Sequence, residues 1–460
     1  MHLQSLQNPH KWRYYRLIWF KHDLPAGLTV FLVALPLCLG ISLASGAPLY
    51  AGILSGVIGG IVVSLISNSQ LGVSGPAAGL TTVVGASITA FGDYRVFLLA
   101  VFFAGVFQLL LGILQLGTVA LYFPSAVIKG MLAAIGIILV SKQIPLSLGY
   151  DEPDFWTEGF LGLFSTNKFY MNANNFYHHF SPPVLLITVV SLAILVLFSD
   201  FFRRKAKWLP LPLLVVLAGV GMYILMPLVN PEWALRTTQT VTIPANIFGQ
   251  ISTPDFSKAL TDSRIFRDAF TISLLASLET LLCVEAIDKL DPLKRKTPVN
   301  RELIAQGLGN MACGMVGAIP MTAVIVRGAA NVDAGARTRL SAFTHGVFLL
   351  AAVAAIPFAL NLIPFASLAA ILLITGYKLA KPSVFRNFWS AGKYQFVPFI
   401  VTVVVIIAVD LFKAIPVLSG KGLLVGVLSG IVAAIGAILY GNLKNSYFFH
   451  KEKHQEGDLI

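Results

Sequence analysis

Leu71-Gly72-Val73-Ser74-Gly75-Pro76-Ala77-Ala78-Gly79-Leu80-Thr81-Thr82 and, in the other half of the chain, Gly317-Ala318-Ile319-Pro320-Met321-Thr322-Ala323-Val324-Ile325-Val326-Arg327-Gly328 are two apolar stretches broken by Gly and Pro. In the first, Ser74 or Gly75 is placed to cap a helix that opens with Pro76, which has no N–H to leave unpaired. Such a helix, running to Phe91, rises only about 24 Å. In the second, Thr322 follows Pro320 and is placed to cap a helix ending near Asp333, roughly 16 Å long. Each helix therefore starts inside a bilayer and is preceded by extended chain. Irregular backbone at that depth must line a cavity or be buried in protein. Each helix start carries free N–H groups and the positive end of the helix dipole, and two such ends facing one another suit an anion. Paired interruptions in equivalent positions of two halves mark the binding site of a transporter. The plainer alternative is a pair of kinked packing helices rich in small residues.

The surrounding sequence supplies the membrane. Apolar residues make up 56% of the 460 and charged residues 12%, about half the charge density of a soluble domain. Long apolar runs fall at 25–44, 49–67, 76–91, 95–117, 124–141, 182–202, 210–229, 266–287, 302–318, 323–333, 338–360, 364–378, 395–411 and 417–440. These are fourteen segments, two of them too short to cross a hydrocarbon layer of about 30 Å. The first 22 residues are basic and aromatic (Lys11, Trp12, Arg13, Arg16, Trp19, Lys21) and read as a cytoplasmic interfacial segment. With that end inside, the loops after even-numbered segments hold Arg203, Arg204 and Lys205, then Lys294, Arg295 and Lys296, then Arg337 and Arg339, then Lys381, Arg386 and Lys393. The tail adds Lys444, Lys451 and Lys453, so parity and charge agree on two cytoplasmic termini in a plasma (bacterial inner) membrane. The net charge of +12 thus sits in membrane-flanking loops and points to a lipid bilayer rather than to nucleic acid.

The long external loops are 143–181 and 230–264. The first is acidic and aromatic, and its adjacent His178 and His179 are poorly placed to converge on a metal ion. In the second, Thr240-Val241-Thr242-Ile243 suits a short strand. Cys38, Cys283 and Cys313 lie in apolar runs and read as small core residues. No metal-binding or phosphate-binding motif and no nucleophile–base pair appears, which argues against an enzyme; no catalytic residue, metal or cofactor is expected.

Two ionisable residues inside the apolar segments carry the chemistry. Arg327 lies about one turn into the second short helix, where a central cation costs at least about 2.5 kcal/mol and should face a cavity. It either strengthens an anion site or snorkels to an interface. Glu279, in Ser277-Leu278-Glu279-Thr280-Leu281, is costly unless protonated or paired; it can pair with Arg327 or carry a proton across with the anion. His345, alone in an apolar helix, reads as a core residue.

Several of these stretches resemble one family. Asp23-Leu24-Pro25-Ala26-Gly27-Leu28-Thr29, Leu35-Pro36, Gly72-Val73-Ser74-Gly75-Pro76, the run from Asn300 to Asn310, and Gly317 through Arg327, Asn331, Gly335, Arg337 and Thr338 look like the sulfate permease (SulP) family of anion transporters. The resemblance implies an all-α polytopic membrane protein. Its fourteen segments form a seven-plus-seven inverted repeat, and short extended strands precede half-helices 3 and 10. After a cytoplasmic segment 1–22, the transmembrane domain 23–440 would comprise a core and a gate, followed by a cytoplasmic tail 441–460. The core would hold segments 1–4 and 8–11, about 23–117 and 266–360; the gate would hold 5–7 and 12–14, about 124–229 and 364–440. The anion would lie between segments 3 and 10, lined by Ala77, Ala78 and Gly79 on one side and Val324, Val326 and Arg327 on the other. Glu279 would be the ion-coupling carboxylate, transport of sulfate- or bicarbonate-class anions a proton-coupled symport or an exchange by an elevator-like motion of core against gate, and the assembly a homodimer; a sodium-coupled bicarbonate transporter and an uncoupled anion channel are the alternatives.

Departures from the family pattern sharpen the expectation. Leu37 stands where many members have Gln, Val326 where many have Ser, and the aromatic usual in the first helix is replaced around Ile41. Anion holding must then lean on backbone N–H groups, Arg327 and Thr322. The Pro36-Leu37 pair looks closer to bicarbonate-type members. The sodium-coupled bicarbonate branch, however, tends to have Asp where Glu279 stands and a hydroxyl where Cys283 stands, which favours protons over sodium. The family usually carries a cytoplasmic STAS domain beginning about where this chain stops, at Gly457-Asp458-Leu459-Ile460.

Overall fold

Long apolar stretches must satisfy their backbone internally within a bilayer, and helices do so alone. A computed structural model of the chain obeys that rule and describes residues 19–117, 124–149, 180–198, 211–244, 249, 251–258, 262–410, 422 and 425–440. The first repeat runs α1 (Leu24–Ala44), α2 (Leu49–Ile66, its Gly59–Val63 turn a π-helix), β1 (Ser74–Pro76), α3 (Thr81–Phe91), α4 (Tyr94–Ile113), α5 (Ser125–Leu148), α6 (Pro182–Leu197) and α7 (Leu211–Val229). The second runs α8 (Arg264–Leu290), α9 (Val299–Met315), β2 (Met321–Ala323), α10 (Ile325–Asp333), α11 (Leu340–Ala355), α12 (Phe365–Leu379), α13 (Pro382–Ser390), α14 (Lys393–Asp410) and α15 (Val425–Tyr440). With α13 set aside as a short connector, these are the fourteen segments of a seven-plus-seven inverted repeat.

Two compact units share the chain: Met1–Thr118 with Leu139–Ile374, and Val119–Ile138 with Thr375–Ile460. The first contains both broken segments. There α4 lies along α9 at backbone distance, because a Cβ on Gly307 would fall 2.6 Å from the Leu109 nitrogen and one on Gly314 2.6 Å from the Phe102 nitrogen. Small residues at a helix crossing allow that approach. In the second unit, Phe399 of α14 is fully buried, with Ala126 and Ala133 of α5 packed around it.

Hydropathy locates the crossing segments and misplaces some ends. The ninth segment is expected at 302–318, whereas α9 spans Val299–Met315, its polar first turn Val299–Glu302 being helical although it carries no apolar signal. The expected strand at 240–243 is reduced to a single bridge, Thr240 to Pro364, with Asn361 bonded to both the N–H and the carbonyl of Ile243. The connector α13 is absent from a hydropathy reading because it does not cross. His178, His179, the acidic residues of the first long loop, and the basic residues of 1–18, 203–207 and the tail lie outside the described residues.

Candidate functional site

The broken segments meet. β1 and β2 form a two-stranded antiparallel ladder with Ser74 opposite Ala323, Gly75 opposite Thr322, and Pro76 opposite Met321. The Val324 N–H extends it by donating to the Val73 carbonyl at 3.0 Å. Antiparallel pairing sets the directions of the two short helices. The chain leaves β1 one way and β2 the other, so α3 and α10 point apart. Their N-termini face the ladder from its two ends. Two positive helix ends are thereby aimed at one small volume.

Side chains of neighbouring helices hold this irregular backbone. The Met321 N–H donates to Asn310 Oδ1 at 2.8 Å, and Asn310 Nδ2 donates to the Met321 carbonyl at 3.1 Å and to Gln108 Oε1 at 2.6 Å. Gln306 Nε2 donates to Ser74 Oγ at 2.6 Å and to Glu302 Oε1 at 2.9 Å, while Ser67 Oγ donates to the other carboxylate oxygen. Glu302, Gln306 and Asn310 recur every four residues and so share one face of α9. Asn331 Nδ2 reaches the Leu71 carbonyl at 3.1 Å, and the Ala323 N–H donates to Thr280 Oγ1 at 3.3 Å. Sequence reasoning assigns none of these a role, although the four-residue polar spacing in an apolar helix is there to read.

The helix starts differ from the capping pattern expected. Pro76 belongs to β1, Ala77 is extended (φ −110°, ψ 135°), and a 3₁₀ turn Ala78–Leu80 leads into α3, so the helical chain opens at Ala78 rather than at Pro76. Pairing in the ladder outweighs the preference of Pro for a first helical turn. Thr322 likewise sits inside β2, and the residue before α10 is Val324 (φ −122°, ψ 118°), with no side-chain cap. The Thr322 hydroxyl donates to the Ala323 carbonyl at 3.0 Å and is fully buried. Neither helix start is therefore capped by the side chain of its N-cap residue, and at the first of them Glu279 accepts the Gly79 N–H.

The expected lining residues gather around the ladder in two layers. Ala78, Val324, Glu279 and Val326 retain exposure, Val326 at 42%. Ala77, Gly79, Thr322 and Arg327 are buried behind them. Arg327 is wholly enclosed: Nη2 donates to Cys38 Sγ at 3.3 Å and to the Pro76 carbonyl at 3.5 Å, while Nε and Nη1 have no hydrogen-bond partner. A side chain at position 75 would collide with Nη1, so Gly75 is what admits the guanidinium behind the strand. Glu279 stands over the start of the other helix. It accepts the Gly79 N–H, and a Cβ on Gly79 would come within 2.5 Å of its Oε2.

Of the two alternatives for Glu279, the pair with Arg327 does not form. Arg327 is taken up by Gly75, Pro76 and Cys38, and Glu279 by the first turn of the 3₁₀–α3 segment. His345 is buried with neither ring nitrogen hydrogen-bonded, as befits a core residue on α11.

The arrangement has relatives. The putative sulfate transporter YvdB of Bacillus subtilis is 29% identical over 388 residues, covering 81% of this chain and 67% of that protein. The bicarbonate transporter BicA of a Picosynechococcus species is 28% identical over 364 residues, covering 77% of this chain and 61% of its own. The chain thus spans about two thirds or less of these relatives' length. The transmembrane domain of a cyanobacterial BicA superposes with a TM-score of 0.70 at 23% identity, over 95% of this chain and 98% of that one. SLC26A9 superposes at 0.73 and 17% identity, over 91% of this chain and 65% of that one. The sequence profile described as the sulfate permease family matches residues 20–402, and the chain belongs to that family of multi-pass membrane transporters.

Proposed function

We propose that this protein carries small inorganic anions of the sulfate or bicarbonate class across the membrane by secondary active transport, with a proton travelling beside the anion. The observation that carries this reading is the position of Glu279: its carboxylate accepts the Gly79 N–H at the helix start that an anion would use. A carboxylate and a substrate anion about 5 Å apart repel by roughly 3 kcal/mol at an effective dielectric near 20. Protonating Glu279 removes that repulsion, so proton and anion each raise the affinity for the other by the same factor. Reciprocal binding of this kind is what symport requires. The site is formed by α1, α3, α8 and α10 around the ladder, with Ala77, Ala78, Gly79, Thr322, Val324, Val326 and Arg327 supplying its walls and field.

Alternating access in this reading is an elevator-like movement of segments 1–4 and 8–11 against segments 5–7 and 12–14, in a homodimer in the plasma membrane with both termini in the cytoplasm. A second reading, sodium-coupled bicarbonate transport, draws on the match to BicA and on Leu37, which offers no side-chain donor to a larger oxyanion.

The deciding experiment is labelled sulfate uptake into proteoliposomes under an inward proton gradient, with and without excess bicarbonate, on the wild type and Glu279→Gln. Gradient-driven uptake that bicarbonate fails to block, and that loses its pH dependence in Glu279→Gln, is expected. An unchanged pH profile in the variant refutes the coupling role. Sodium-dependent bicarbonate uptake without sulfate uptake establishes the second reading instead.

A further inference from the structure

The connector α13 links the ends of two membrane segments, α12 and α14, with two residues on either side. Its nine residues rise about 13 Å, too little to cross. One face carries Val384, Phe385 and Phe388 against α14, where Phe388 stacks on Phe399 at 4.6 Å and Phe385 meets the same ring edge-on at 5.1 Å. The other face is open. Arg386 and Asn387 are exposed on it; Trp389, at its border, meets Phe396 of α14 edge-on at 4.9 Å and is still 70% exposed, and Tyr377 and Tyr394 at the flanking helix ends are more than half exposed.

The charge here is one-sided. Lys378, Lys381, Arg386 and Lys393 fall within sixteen residues, and no Asp or Glu occurs anywhere from 334 to 409. Asp262, Asp268, Glu285 and Asp291 form ion pairs elsewhere, within α8 or at its two ends. A basic face alone would suit water. Three exposed aromatics with polar edges at the same level do not, because Trp and Tyr in such positions seek the headgroup layer of a bilayer.

We infer that α13 and its flanks form a binding surface for the headgroups of anionic phospholipids, with Lys381, Arg386 and Lys393 facing the lipid phosphates and Trp389 seated among the upper acyl carbons. A short amphipathic helix with a cation on its polar face and further cations at its flanks binds an anionic leaflet in this way, each cation adding about a fivefold preference. The surface belongs to the second unit and contains none of the residues assigned to anion transport, so it stands apart from the transport reading.

The test reads Trp389 fluorescence as the difference between the full chain and Trp389→Phe. Both are reconstituted in phosphatidylcholine vesicles with 20 mol% phosphatidylglycerol, brominated on one lipid or the other. At matched mole fraction, brominated phosphatidylglycerol should quench Trp389 several-fold more efficiently. The preference should shrink in high salt and vanish in Lys381→Gln/Arg386→Gln/Lys393→Gln, whose substitutions leave the packing on Phe399 untouched. Quenching by brominated phosphatidylcholine in that variant verifies that the helix still meets the bilayer. Equal quenching by the two lipids in the wild type overturns the inference, and so does quenching by neither, which would place α13 in water.

Discussion

Arg327 is a cation with no carboxylate partner, no exposure and two unbonded nitrogens. Burying an uncompensated charge costs several kcal/mol, so without an anion this residue works against the fold. It is tolerable where a ligand of opposite charge completes it. Arg327→Met keeps most of the volume and removes the charge, and two effects of opposite sign should result. The ligand-free variant should melt at or above the wild-type temperature, while the stabilisation that saturating anion gives the wild type, about 2.7 kcal/mol at a hundred times Kd, should disappear. Thermal melts in detergent across an anion titration measure both. Full anion-dependent stabilisation in the variant would remove Arg327 from the site. The sequence showed that this residue had to face something other than lipid. It did not show that the guanidinium sits behind β1, since that depends on the missing Cβ of Gly75, a residue about 250 positions away.

At the scale of elements, the ladder is the unusual feature, because three-residue strands at membrane depth have little to stabilise them except their partners. Asn310 bonds both backbone groups of Met321, and Gln306 bonds Ser74 on the opposite strand. Asn310→Ala strands a buried N–H and a buried carbonyl, each worth about 1–3 kcal/mol. It should lower the melting temperature measurably and weaken anion binding through loss of ladder geometry rather than loss of charge. A melt unchanged from wild type would show that the ladder holds itself. The sequence made plain that extended chain precedes both half-helices, because Pro and Gly interrupt an apolar run there. It left open that the two extended pieces pair with each other, since strand register between distant segments has no local signature. It also pointed to the wrong helix starts, at Pro76 and Thr322, because capping preferences are local and the ladder that overrides them is not. The connector α13 escaped for a different reason: its nine residues are too few to cross, and Arg386 and Asn387 interrupt its apolar residues.

At the scale of the whole molecule, the even number of segments makes a claim that chemistry can check. In the reading proposed above, fourteen segments put both termini on one side, and the Lys and Arg residues of the even-numbered loops argue that this side is the cytoplasm. The three native cysteines, Cys38, Cys283 and Cys313, are all buried, so the chain offers a quiet background for thiol labelling. Cysteines introduced singly at Ser5, Ser165 and Ser446 sample the N-terminal segment, the first long loop and the tail. In intact cells a membrane-impermeant maleimide should label only Ser165→Cys, and permeabilisation should expose the other two. Parity makes the experiment sharp. Labelling of Ser5→Cys and Ser446→Cys together in intact cells would invert the topology and keep the count. Labelling of one without the other would make the number of crossings odd, contrary to a seven-plus-seven inverted repeat.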